Sequence, residues 1–214
     1  MATSELIVSV SGIRGIVGEG VTPAAALRFA EALATYTRGG RIVLSRDGRA
    51  SGAMLRHAVL AGLTAAGCEV HDVGVAPTPT VGLAVRTLRA QGGVQITASH
   101  NPAPWNGLKL FNADGRVLPA AEGRKVQALY EAGARAAVPY NMLGTVQNYH
   151  NAEDDHRDRI LQMVDVVRIR AAGLRAFLDA NGGSGGPLGR SLLKAFQVTA
   201  TCHGCDADGF FPRV

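Results

Sequence analysis

The 214-residue chain is 47% hydrophobic and 18% charged, and 22 basic against 17 acidic residues give it a net charge of +5. That length is ample to bury a core, and no apolar run reaches the ~20 residues of a membrane span. The basic excess is mild and has no basic run or interleaved aromatics, which argues against a nucleic-acid groove and is compatible with anionic small substrates. Met1-Ala2-Thr3-Ser4-Glu5 lacks a basic region followed by an apolar one, so no signal peptide is read and a cytoplasmic location is expected.

The first 133 residues alternate strand-like and helix-like segments. A strand at 6–10 precedes a helix whose start is marked by Thr22 as N-cap and Pro23 in the first turn, and which runs to Gly39 with Leu27, Ala30, Leu33 and Ala34 on one face. A buried-type strand follows at 41–45, then a helix over 51–66 closed by Gly67, and a strand at 69–73. A third helix, opened by Pro77-Thr78-Pro79, ends at Gly92-Gly93 and leads into a strand that carries Ser99. Repeated β-α-β units predict an α/β fold, with a mostly parallel, mixed sheet and helices on both faces.

Residues 134–154 lose periodicity and contain Pro139, Asn141, Gly144 and the acidic run Glu153-Asp154-Asp155, so a linker is expected over 139–154, between domains at 1–138 and 155–214. In the second part a helix at 156–167, a strand at 174–178, a Gly-rich loop at 181–186 and a helix at 188–196 make one more β-α unit. A Gly-rich loop before a helix can hold phosphate through its amides. This one lacks the Gly-Lys-Ser/Thr ending of a P-loop, so a structural turn or interdomain contact is expected. One β-α unit cannot bury both faces of a sheet, so either the second α/β domain is incomplete or the tail packs in an unusual way on the first domain.

Three cysteines argue against a disulfide framework. Cys68 with His71, and Cys202 with Cys205, have the spacing of zinc ligands, but the two pairs fall in different predicted domains and each cysteine reads as a small apolar residue at a strand end.

The candidate for chemistry lies in Thr97-Ala98-Ser99-His100-Asn101-Pro102. An apolar run that breaks at Asn-Pro presents the Ser99 hydroxyl at the sheet rim, where open α/β folds keep their ligands. The same residues would also make an ordinary polar turn. Downstream stands Trp105-Asn106-Gly107-Leu108-Lys109-Leu110, in which Asn-Gly reads as a turn before Lys109. Only Lys109, Lys125 and Lys194 of the basic residues are lysines, and an amine beside Ser99 can release a proton where guanidinium cannot. Near the N-terminus lies Ser9-Val10-Ser11-Gly12-Ile13-Arg14-Gly15, read as a Gly-flanked Arg loop for an anion. Adjacent Ser99 and His100 raise a serine hydrolase, yet no G-x-S-x-G elbow is present and neighbours in an extended loop point apart.

These segments in this order, with Ser45-Arg46-Asp47-Gly48-Arg49, Asn112-Ala113-Asp114-Gly115 and Asp179-Ala180-Asn181-Gly182-Gly183, resemble the α-D-phosphohexomutases: phosphoglucomutase, phosphomannomutase and phosphoglucosamine mutase. The resemblance implies interconversion of sugar 1- and 6-phosphates through a phosphoserine and a hexose 1,6-bisphosphate. Ser99 is implied as the phosphoserine, Lys109 and His100 as proton-transfer and charge-neutralising groups, and Arg14 as the phosphate-side cation. Ser11, Arg46, Asp47, Arg49 and Asn101 are implied around the substrate phosphate, with Asp47 holding a guanidinium. Magnesium is the implied cofactor, with the Ser99 phosphate as one ligand. The Asp-x-Asp-x-Asp-Arg loop that supplies its carboxylates does not occur here, although Asp206-Ala207-Asp208-Gly209 has two of them. The chain is therefore expected to stop short of its metal loop, and the alternative expectation is an inactive fragment or a module that binds sugar phosphates or a partner.

Overall fold

A computed structural model describes residues 6–211. Strands β1 (Ile7–Ser9) and β2 (Gly12–Ile16) form a tight hairpin, followed by helix α1 (Pro23–Thr37), strand β3 (Arg41–Arg46), α2 (Gly52–Ala65), β4 (Glu69–Val75), α3 (Thr78–Thr87), β5 (Gly92–Ile96), β6 (Trp105–Asn112) and α4 (Ala120–Glu131). A 3₁₀ turn at Tyr140–Met142 leads to β7 (Val146–Asn148), α5 (Ala152–Leu161), α6 (Val166–Ala171), β8 (Arg175–Asp179), α7 (Gly185–Ala195) and β9 (Thr199–His203). The Thr22 cap forms as read: its Oγ1 accepts from the Ala25 N–H at 3.2 Å, with Pro23 in the first turn.

Among the described residues seven strands make one sheet in the order β1-β2-β6-β5-β3-β4-β7. β5, β3, β4 and β7 run parallel, whereas β1, β2 and β6 pair antiparallel up to β5, so the sheet is the expected mixed one. Alternation along the strands splits the core. Ile42, Leu44, Val94, Ile96, Leu108 and Leu110 pack with α1, α2 and α4 on one face, and Val43 and Phe111 pack under α3 on the other. β8 and β9 pair parallel in a separate two-stranded sheet.

Three local readings give way, and the stretch read as a linker also holds a strand. The segment 9–15 is a strand pair rather than an Arg loop, because Gly12 at φ 139 lets the chain reverse directly against β6. Asn106-Gly107 sits inside β6, not in a turn. Asn106 is fully buried and donates from Nδ2 to Ser51 Oγ at 2.8 Å, and Gly107 faces β2 so closely that a Cβ would lie 2.1 Å from the Ile13 carbonyl oxygen. The stretch read as a linker adds β7 to the sheet edge, where Val70 N–H donates to Thr145 O and Tyr149 N–H to Asp72 O, both at 2.7 Å. The single helix expected over 156–167 is two, α5 and α6, the second capped by the Asp165 carboxylate on Arg168 N–H.

Candidate functional site

The site lies at the carboxyl end of β5 and β3, where parallel strands release their loops. β5 ends at Ile96, and Ser99 follows in the left-handed region at φ 57, a conformation that costs a non-glycine residue about 1–2 kcal/mol. Ser99 and His100 are exposed. Their side chains approach at 3.5 Å, Oγ to Nδ1, the outer limit of a hydrogen bond rather than the divergence expected of neighbours. No carboxylate among the described residues is bonded to His100, so the third member of a hydrolytic relay is not in place there.

What holds this loop is a buried cation. Arg49 is 1% exposed, and every N–H of its guanidinium is used. Nε donates to Asp47 Oδ2 at 3.1 Å. Nη1 donates to the carbonyls of Pro102 and Trp105 at 2.7 and 2.9 Å, and Nη2 to those of Ser99 and Asn101 at 3.0 and 2.7 Å. Asp47 completes the brace. Its Oδ2 also accepts from Thr97 Oγ1 at 2.7 Å, and Thr97 Oγ1 in turn accepts the Ser99 N–H at 3.0 Å. Asp47 thus holds a guanidinium, but Arg49 has no donor left for a substrate phosphate, and its reading as a phosphate-side cation is corrected to that of a loop brace.

A cleft of about 360 Å³ brings Ser11, Arg14, Ser99, His100 and Lys109 together. Register explains the grouping: Gly12 lies opposite Lys109 and Arg14 opposite Gly107 across β2–β6, so Arg14 and Lys109 rise from the same face two positions apart. A second cleft, of about 420 Å³, joins Ser99, His100 and Asn101 to Asn181, Gly183 and Phe211. The ring of Phe211 lies 4.6 Å from the Arg49 guanidinium carbon, a cation–π contact. The Gly-rich loop 181–186 serves backbone packing here. A Cβ on Gly182 would lie 2.4 Å from the Phe210 carbonyl oxygen, and one on Gly186 2.2 Å from that of Cys205.

Arg46 does not join this cluster. It lines a separate cavity with Arg56, His57 and His150, away from the Ser99, Arg14 and Lys109 cleft and not with them around one substrate phosphate as expected. The possible zinc ligands are dispersed. Cys68 is buried in the core under α2, where burial pushes its thiol up to about 11, and His71 bonds Glu69 at 2.7 Å. Cys202 is exposed, whereas Cys205 is buried and its thiol is raised, chiefly by desolvation. Among the described residues no group of three or more His, Cys, Asp or Glu converges as metal ligands. Sequence reasoning missed Thr97 as part of the brace, and a threonine two residues before a serine in a rim loop is the signal that was available.

Comparison with known proteins agrees with this architecture. The family model described as phosphoglucomutase/phosphomannomutase, alpha/beta/alpha domain I, matches residues 6–137. A probable phosphoglucosamine mutase of Pyrococcus horikoshii is 36% identical over 203 residues, covering 95% of this chain and 44% of that protein. One from Methanopyrus kandleri is 38% identical over 202 residues, covering 94% and 44%. A solved phosphoglucomutase/phosphomannomutase family protein of Burkholderia thailandensis superposes with a TM-score of 0.83 at 28% identity, over 97% of this chain and 45% of its own. The chain spans a little under half the length of these relatives. With more than half of its residues matched by the family model, the chain belongs to the phosphoglucomutase/phosphomannomutase family.

Proposed function

We propose that this chain carries the phosphoryl-transfer half of a phosphohexomutase site, in which Ser99 as a phosphoserine exchanges its phosphoryl group with a hexose phosphate. The observation that carries the reading is the single cleft shared by Ser99, Arg14 and Lys109, with Ser99 exposed on a braced loop. In the forward step the O6 hydroxyl of a hexose 1-phosphate attacks the phosphorus of phosphoserine. The Ser99 Oγ–P bond breaks, the O6–P bond forms, and the O6 proton passes by way of Lys109 to the departing Ser99 Oγ. The resulting 1,6-bisphosphate turns over, Ser99 Oγ attacks the 1-phosphate, the O1–P bond breaks as the Oγ–P bond re-forms, and the Ser99 hydroxyl proton passes by way of Lys109 to the departing O1. Arg14 offsets phosphoryl charge beside Lys109, with His100 a second proton or charge partner, Ser11 on the wall of that cleft and Asn101 in the second cleft beside Ser99.

In this proposal residues 1–138 form the phosphoserine domain, 139–154 the connection and 155–214 part of a second α/β domain; the family match over 6–137 supports the first boundary. The relatives' names make glucosamine phosphate the first hexose to try. Charged sugars do not cross membranes unaided, so the proposal includes a cytoplasmic location. Magnesium is the family's implied cofactor, but the described residues do not assemble a carboxylate site for it. That same observation favours a second reading, in which the chain by itself binds sugar phosphates without completing turnover.

The test is intact mass and peptide mapping after incubation with glucosamine or glucose 1,6-bisphosphate, with and without magnesium. A phosphoryl adduct on Ser99, lost in Ser99→Ala, supports phosphoryl capture. Binding of the bisphosphate with no adduct supports the second reading, and neither binding nor adduct refutes both.

A further inference from the structure

The cavity that holds Arg46 has about 260 Å³ and lies away from Ser99, at the carboxyl ends of β3, β4 and β7 and against the start of α2. Its walls carry Arg46, Arg56, His57 and His150, with Asn148 at the end of β7 and Asp72 on β4. The charges do not cancel. Asp72 is 4% exposed and both its oxygens are committed, Oδ1 to the Gly74 N–H at 2.8 Å and Oδ2 to Arg56 Nε. Asp72 therefore neutralises Arg56 and orients it. Arg46, His57 and His150 make no ion pair with any described residue. The hydrogen bond seen for Arg46 runs from Nη1 to the Asp47 carbonyl at 3.1 Å, which leaves the outer part of its fork for another acceptor.

Two further features favour a small anion over a cation or an apolar ligand. α2 opens at Gly52 with no side-chain cap and no acidic residue in its first turn, and Ala53 of that turn lines the cavity with the arginines. The edge of the cavity is opened by a register shift between Leu44 and Ser45 opposite Gly74, which sits at φ 79. The volume falls just below the ~300 Å³ at which pockets for drug-sized ligands begin. Planar guanidinium forks from two directions suit a tetrahedral phosphate better than a single carboxylate does.

We propose that this cavity is a second anion site, separate from the Ser99 cleft, that takes the phosphate group of a small phosphomonoester or the free phosphate anion. It does not rest on the phosphoryl-transfer reading, since it shares no residue with the Ser99 cleft. The test is titration of isotopically labelled full chain with inorganic phosphate at constant ionic strength, followed by NMR at the amides of residues 52–57 and 148–150. Saturable shifts are expected there. Arg46→Gln should weaken them about tenfold or more, the scale of one charge-assisted hydrogen bond. The double variant His57→Gln with His150→Gln, changed at exposed side chains, should weaken them as well and guards against loss of folding in the first. Arg14→Gln, in the other cleft, should leave the affinity at these amides unchanged. Tighter binding of glucose 6-phosphate than of phosphate assigns the ligand to a phosphomonoester, and equal binding assigns it to the free anion. Shifts that do not saturate, that sulfate-free chloride reproduces, or that survive both variants would overturn the site.

Discussion

Replacing Arg49 with Met tests whether the Ser99 loop is held by one buried guanidinium. The substitution keeps a long side chain but removes five donors and leaves Asp47, 6% exposed, without its cation. Removing one partner of a buried ion pair costs about 3–5 kcal/mol. The four carbonyls that lose a donor lie in a rim loop that can turn toward water, so their loss is not added in full. Against a total stability of roughly 5–15 kcal/mol, and at about 2–4 °C per kcal/mol for a chain of this size, the melting temperature should fall by about 6–20 °C. Arg49→Lys keeps the charge with three donors and no fork, so it should fall in between. Thermal denaturation followed by circular dichroism reads the global effect. Hydrogen exchange at the Ser99 and Asn101 amides reads the local one, because these N–H groups are bonded to Thr97 Oγ1 and the Ala98 carbonyl only while the loop keeps its shape. The reasoning fails if Arg49→Met unfolds within about 1 kcal/mol of the parent and its loop amides exchange no faster.

Two other outcomes follow from close packing and from burial. Gly107→Ala would place a Cβ 2.1 Å from the Ile13 carbonyl oxygen and 2.8 Å from Arg14 Cα, forcing β2 off β6; a loss of about 1–3 kcal/mol in urea denaturation is expected, together with slower phosphoryl capture at Ser99 as Arg14 shifts. His156 is held below its ordinary value by desolvation while its Nδ1 meets Thr80 Oγ1 at 2.8 Å. The unfolded chain therefore binds a proton first as pH falls, so stability is level above the ordinary histidine value and declines below it, down to the depressed folded value. Urea midpoints measured from neutral to mildly acidic pH should show that decline, and His156→Gln should flatten it; an unchanged slope would remove His156 as its source.

The parallel half of the fold was legible because its strands are buried on both faces and its helices carry broad apolar stripes, as with Ile42, Val43 and Leu44 or Ala26, Phe29, Ala30 and Leu33. The elements that escaped have physical reasons to be silent. β7 is three residues long and exposed along its length, so it shows no alternation. α4 buries only Gly123 and Val126, too thin a stripe to register. β6 was hidden by Asn106-Gly107, a turn signal in any linear reading, which the fold uses for a buried amide and a close strand approach. The arrangement of Ser99, Arg14 and Lys109 in one cleft was anticipated only through family resemblance. The division of labour among Arg14, Arg46 and Arg49 was not, since sequence cannot tell which arginine has its donors consumed by backbone carbonyls.

That division explains how an exposed serine is kept in an unfavourable backbone conformation. A hydroxyl that projects from its loop forfeits the packing that normally fixes a side chain. Here the positive φ of Ser99 is offset from beneath, by Arg49 and Asp47, rather than from above, so the cleft over the hydroxyl stays open. The brace is itself roofed by the tail of the chain. Phe211 stacks on the guanidinium, and Gly48 and Gly209 pack so closely that a Cβ on Gly48 would lie 2.2 Å from the Ala207 carbonyl oxygen. The turn that carries Arg49 and the segment 207–211 thus form one packed unit, and a bulky residue at Gly48 should loosen the Ser99 loop through Arg49 without touching the cleft. Hydrogen exchange in Gly48→Ala distinguishes this from a surface contact of no consequence: faster exchange at the Ser99 amide marks the tail as part of the support, and unchanged exchange separates the two.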